Sequence, residues 1–111
     1  MSLEQQARID RAYLYLNKET GIRSIAIVVD TEGERETLWY ALTSTLCKDG
    51  RWAGKSTETR SREMIANAVP AASAPGGKII LSALVGAEIR LLRSEEDGSV
   101  SAILPPVIDV V

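Results

Sequence analysis

The chain has 111 residues, enough for one domain and too few for two ordinary ones. Its 45% hydrophobic and 25% charged residues are the proportions of a folded globular protein and argue against disorder. A formal net charge of −2 offers no general field for nucleic acid, which is therefore not an expected partner of the molecule as a whole.

In chain order, residues 3–19 read as a helix. Ser2 with Gln5 fits a capping box, and Gly21 supplies a left-handed stop. Ile9, Tyr13 and Leu16 fall on one stripe with Ala12 beside them, while Leu14 and Tyr15 lie off it. Ile22 to Asp30 is the clearest strand. It is rich in β-branched residues and apolar on both faces from Ile25 to Val29, the pattern of a central strand. Asp30-Thr31-Glu32-Gly33 makes a turn.

Glu34 to Cys47 fits both periods. As a helix it aligns Leu38, Leu42 and Leu46; as a strand it sets Leu38, Tyr40 and Leu42 opposite Trp39 and Ala41. The short preceding turn and Thr43-Ser44-Thr45 favour the strand, with Asp49-Gly50 as the following hairpin turn. Ser56 or Thr57 caps a second helix, whose stripe is Ser61, Met64, Ile65, Ala68 and Val69 and whose end is Pro70. After the small-residue loop Ala71–Gly77, three strands are expected: Lys78 to Val85, Ala87 to Ser94, and Val100 to Leu104. Glu96-Asp97-Gly98 turns between the last two. A single helix over 79–93 competes with the first two and is weakened by Gly86.

The expected fold is therefore one α+β domain spanning 1–111. An antiparallel or mixed sheet of about five strands packs on two helices in the order α-β-β-α-β-β-β, ending in an apolar C-terminal strand.

Chemistry is sparsely represented. The chain has no histidine, so the commonest general base and metal ligand is missing, and its one cysteine, Cys47, cannot build a thiolate zinc site. No cofactor or metal is expected. A single cysteine also points towards a reducing, cytoplasmic setting. The first residues lack a signal-peptide pattern, and the longest nearly uncharged stretch, Met64 to Leu84, is broken by prolines and glycines, so no membrane partner is expected.

Gly50-Arg51-Trp52-Ala53-Gly54-Lys55-Ser56 has one residue too few between its glycines for a phosphate-binding loop. Together with Lys48, Arg60 and Arg62 it forms a locally basic stretch. Arg51, Trp52, Lys55 and Arg60 are accordingly the candidate contacts for a ligand or partner, nucleic acid included. Asp30 and Glu32 form a candidate acidic site for acid–base or cation chemistry. The tail after Pro105-Pro106 is apolar, and Val107, Ile108, Val110 and Val111 are the candidate interface of a homodimer.

The segment Ile25-Ala26-Ile27-Val28-Val29-Asp30 followed by Glu32-Gly33 resembles the first hairpin of the Roadblock group. The expected element order is similar to that of profilin-like and Roadblock-type small domains. The stretch Thr43 to Lys55 and the strand-like tail depart from that pattern. The resemblance implies a dimerising scaffold that binds other proteins and transfers no catalytic residues. The leading functional expectation is a non-catalytic interaction and oligomerisation module for a protein or small ligand. A small carboxylate-dependent enzyme, metal-assisted or not, is the alternative, and a weak nucleic-acid binder acting through 48–62 is the third.

Overall fold

A computed structural model of the chain describes residues 2–19, 21–42 and 57–107. Its first element is a strand, β1 (Ser2–Leu16), where a helix is expected over 3–19. The correction has a local cause. The register of β1 shifts between Ile9 and Arg11, so Asp10 is the extra residue of a β-bulge. Side chains alternate along a strand, and Leu3, Gln5, Ala7 and Ile9 share a face before the bulge. After it, the same face is taken by Ala12, Leu14 and Leu16. The change of parity puts a three-residue step between Ile9 and Ala12, which imitates a helical period.

β2 (Arg23–Thr31) and β3 (Glu34–Ala41) form an antiparallel hairpin. Glu32 at φ 54° and Gly33 at φ 89° both lie in the left-handed region, as a two-residue hairpin turn requires. The strand reading of 34–47 holds as far as Ala41; positions 43–56 lie outside the described residues. α1 (Thr57–Ala68) buries Ser61, Ile65 and Ala68 along the expected stripe. It stops before Pro70, with Val69 at φ −132°.

The strand expected over Lys78–Val85 is not formed. β4 (Ser73–Ala74) and β5 (Lys78–Ile79) make a two-residue pairing, and α2 (Leu81–Leu84) is a single helical turn that buries Leu84. Gly86, at φ 83°, then turns the chain onto β1. Its N–H donates to the Ile9 carbonyl at 2.7 Å, and the Ile9 N–H donates to the Ala87 carbonyl at 2.9 Å. β6 (Glu88–Ser94) and β7 (Val100–Leu104) follow as a hairpin, as expected, and the competing single helix over 79–93 is not formed. In the turn between them, the N–H and hydroxyl of Ser99 hold the Asp97 carboxyl below its ordinary value.

The α+β class and a five-stranded antiparallel sheet stand, in the spatial order β3-β2-β1-β6-β7. The order α-β-β-α-β-β-β does not, because the chain opens on three consecutive strands and its main helix is central. The likeness to profilin-like and Roadblock-type element order falls with the missing leading helix.

Strand β1 serves two half-sheets. Its residues Arg8–Leu16 pair with β2, and Ser2–Arg8 pair with β6. In a flat sheet β3 and β6 would stand about 14 Å apart. Arg93 on β6 nevertheless places Nη2 2.6 Å from Glu36 Oε1 on β3. The sheet is therefore curled, with Ile9, Ile25, Ile27, Val29, Ile89 and Leu91 enclosed on its inner face. α1 packs on both β3 and β7, inserts Ile65 into the same core, and donates Ser61 Oγ to the Ala41 carbonyl at 2.8 Å. Among the described residues the edge strands β3 and β7 do not pair with one another. The curl is thus held by the helix and by the Arg93–Glu36 pair. Arg93 also donates Nε to Gln5 at 2.7 Å and Nη1 to the Gly98 carbonyl at 2.9 Å.

Tyr40, next to the core, has its phenol pushed up to about 12 by burial, with the charge of Glu36 adding to the shift. The unfolded chain releases that proton near pH 10. Between about pH 10 and 12 the folded state holds more protons than the unfolded one, so stability falls as pH rises through this window. Urea denaturation across it should show the decline, and Tyr40→Phe should flatten it; an equal decline in the variant would refute the assignment.

Candidate functional site

The outer face of β1, β2 and β3 is set by the same bulge. Past Asp10, the outward residues of β1 are Arg11, Tyr13 and Tyr15. They stand beside Val28, Ala26 and Ser24 of β2, which in turn face Thr37, Trp39 and Ala41 of β3. Three of the chain's five aromatic residues thus share one outward surface. Alternation alone explains this, because Tyr13, Tyr15 and Trp39 occupy outward positions of strands whose inward positions build the core.

The middle strand contributes small side chains, and that permits the aromatic contact. Ser24 and Ala26 leave room for Tyr15 and Trp39 to reach across β2, where their rings meet edge to face at 5.1 Å and 65°. Ala26 lies in register with both Tyr13 and Trp39 and is fully buried, although it is on the outer face. The Arg11 guanidinium sits 5.5 Å from the centre of the Tyr13 ring. Beside the pair runs a groove of about 290 Å³ lined by Tyr15, Asn17, Ile22, Ser24 and Trp39. Trp39 remains 52% exposed and Tyr15 45%.

Two of the larger clefts are chemically less open. One of about 680 Å³ lies at the Arg93 end, where Arg93, Glu36 and Gln5 are already bonded to one another. The other, about 570 Å³, brings together Asp30, Glu32 and Val107 with Arg8, Glu88 and Arg90. Asp30 there accepts the Gly33 N–H at 2.9 Å, so one carboxylate oxygen is engaged in shaping the hairpin turn.

The sequence-predicted residues are scattered by comparison. Arg51, Trp52 and Lys55 lie outside the described residues, as do Ile108, Val110 and Val111. Arg60 is exposed on α1, in a shallow groove with Met64, Ile103 and Pro105. Val107 is 61% exposed. Only Asp30, Glu32 and Val107 are brought together. Tyr13, Tyr15 and Trp39 were not among the candidates; the alternation Tyr13-Leu14-Tyr15-Leu16 is the signal that could have marked them.

No family model matches the chain, and no curated protein or solved structure is significantly similar to it. Among the described residues no helix is long and apolar enough to cross a membrane.

The aromatic pair contributes little to folding. Trp39→Ala should cost about 1 kcal/mol, the worth of a surface ring pair. Ile27→Ala, in the core, should cost roughly 2–5 kcal/mol. Urea titration of both variants measures the contrast, and a loss at Trp39 as large as at Ile27 would make the pair a structural element.

Proposed function

We propose that this protein is a non-catalytic binding module whose ligand lies on the outer face of β1, β2 and β3. The observation that carries the proposal is the exposure of Trp39 and Tyr15, held edge to face on a surface the core does not require. Half-exposed aromatic rings with a fixed mutual geometry supply contact area at low entropic cost. The connectivity agrees. A three-strand meander, a helix and a two-strand hairpin, with the first strand shared between both halves, is the plan of partly open five-stranded OB barrels. Such barrels bind ligands on the face of their second and third strands. Architecture alone does not assign function, and the rings on that face are the stronger support.

Titration of the labelled protein with a thymidine oligomer, a maltohexaose and a proline-rich peptide, followed by the Trp39 indole N–H resonance, tests the proposal. At least one class should shift that signal, and Trp39→Ala should abolish the binding. A panel that leaves the indole unmoved refutes it.

Self-association is a second, separate proposal. Val107, the last described residue, stands exposed at the head of an Ile108-Asp109-Val110-Val111 sequence. Deleting 108–111 keeps the Arg90–Pro105 hydrogen bond and should lower the mass measured by light scattering from dimer to monomer. A full-length chain that is already monomeric at high concentration ends this idea.

A further inference from the structure

We infer that the second half of β1 is a pairing edge for another copy of this chain, the two β1 strands running antiparallel across a two-fold axis at Leu14. β6 lies beside β1 only as far as Arg8, and the chain at Gly86 and Ala87 then bonds Ile9. Beyond that point no strand among the described residues lies on this side of β1.

The ladder shows which backbone groups are left over. The Asn17 N–H donates to the Ile22 carbonyl at 2.9 Å, and the Leu42 N–H donates to the Arg23 carbonyl at 2.8 Å. Asn17 therefore turns its N–H to β2, while Arg23, opposite Leu16, turns its carbonyl to β3. Bonded pairs alternate along an antiparallel ladder. Arg11, Tyr13 and Tyr15 accordingly bond β2, and Ala12, Leu14 and Leu16 direct N–H and C=O away from it. Among the described residues nothing bonds those groups. Edge strands are ordinarily protected by charge or proline. Ala12-Tyr13-Leu14-Tyr15-Leu16 has neither, and Leu14 and Leu16 are 62% and 53% exposed.

The sequence of this edge selects a copy of itself. An axis at Leu14 sets Leu14 opposite the partner's Leu14, Ala12 opposite the partner's Leu16 and Tyr13 opposite the partner's Tyr15. Every outward N–H and C=O of Ala12, Leu14 and Leu16 then meets its complement. An axis at Tyr15 would instead set Ala12 against the partner's Lys18, and one at Tyr13 would set Leu16 against the bulge at Asp10. On one face Leu14 meets its own copy about 5.5 Å away, and the long Leu16 lies beside the small Ala12. On the other face tyrosine lies beside tyrosine, a favourable cross-strand pair. Arg11 comes level with the partner's Asn17 and Asp10 with the partner's Lys18, so no like charges are opposed. A foreign strand would satisfy the same backbone groups without this match of side chains. Two-fold pairing also uses each edge once and closes, so it stops at the dimer. It brings the partner's Tyr13 beside Tyr15, which already touches Trp39. On the binding-module reading above, each aromatic face is thus completed by the other copy.

Sedimentation velocity of the full chain should show a dimer that dissociates on dilution. Leu14 faces only its own copy, so Leu14→Lys and Leu14→Glu should each be monomeric, and an equimolar mixture of the two should regain the dimer. Amide exchange reads the same edge without substitution. In the concentrated protein the Leu14 N–H should be protected, and dilution should expose it while Tyr13 and Tyr15 stay protected by β2. Variants that remain dimeric, a mixture that stays monomeric, or a Leu14 amide that exchanges freely in the concentrated protein each overturn the inference. The chain lacking 108–111 separates this edge from the apolar tail, a rival route to the same dimer. Pairing through β1 leaves that chain dimeric; a monomer assigns the dimer to the tail and overturns the edge. A full chain that is monomeric at every concentration ends both routes and leaves the aromatic-face reading to the Trp39 titration.

Discussion

The extra residue at Asp10 is the constraint on which the molecule depends. A strand of fifteen residues with unbroken alternation would present its apolar set to one side throughout. The bulge reverses parity halfway, adds twist, and lets each half of β1 turn its own apolar residues towards a shared interior. Ala7 and Ile9 meet the core from the β6 side, and Ala12 meets it from the β2 side. The backbone around this point is fastened by the reciprocal hydrogen bonds of Ile9 with Gly86 and Ala87. The chain entering β6 is thus anchored where β1 changes partners.

The same parity change makes the outer surface. Tyr13 and Tyr15 take the outer face because Ala12, packed against the core, takes the inner one, so core and candidate site are two consequences of one insertion. The two surfaces nevertheless differ in what holds them. Inside, aliphatic residues are closely enclosed, and the two polar groups nearest the opening, Arg93 and Glu36, satisfy each other. Outside, Ser24 and Ala26 are small, and the rings of neighbouring strands close over them. A larger residue at Ala26 would separate Tyr13 and Trp39 without entering the core.

Much of the fold is legible in the sequence where local chemistry and tertiary need agree. Ile25 to Val29 is β-branched and doubly apolar, and it is the second strand of five. Glu32-Gly33 and Glu96-Asp97-Gly98 turn where their backbone preferences direct. Pro70 ends a helix. The first element is not legible, because a bulge has no residue signature of its own and a strand that changes parity yields helix-like spacings. Lys78 to Val85 is not legible either, because Leu84 is drawn inward by a single helical turn, which an apolar run does not distinguish from a strand. The candidate site followed the first error. A helix over 3–19 assigns Tyr13 to an apolar stripe, which hides its neighbourhood with Trp39 across Ala26. The acidic pair was legible as a turn and was equally open to a chemical reading; the hydrogen bond from Gly33 favours the turn.

Among the described residues β3 and β7 are the edges of the curled sheet, and a sheet edge is a row of backbone groups that invites foreign strands. Here both are guarded by means other than closure. β3 begins with the exposed pair Glu34-Arg35, so an approaching strand meets charge before it meets an apolar side chain. β7 is only five residues long and runs directly into Pro105-Pro106, which cannot donate to a ladder. Charge at one edge and proline at the other hold the molecule back from polymerising along its own strands.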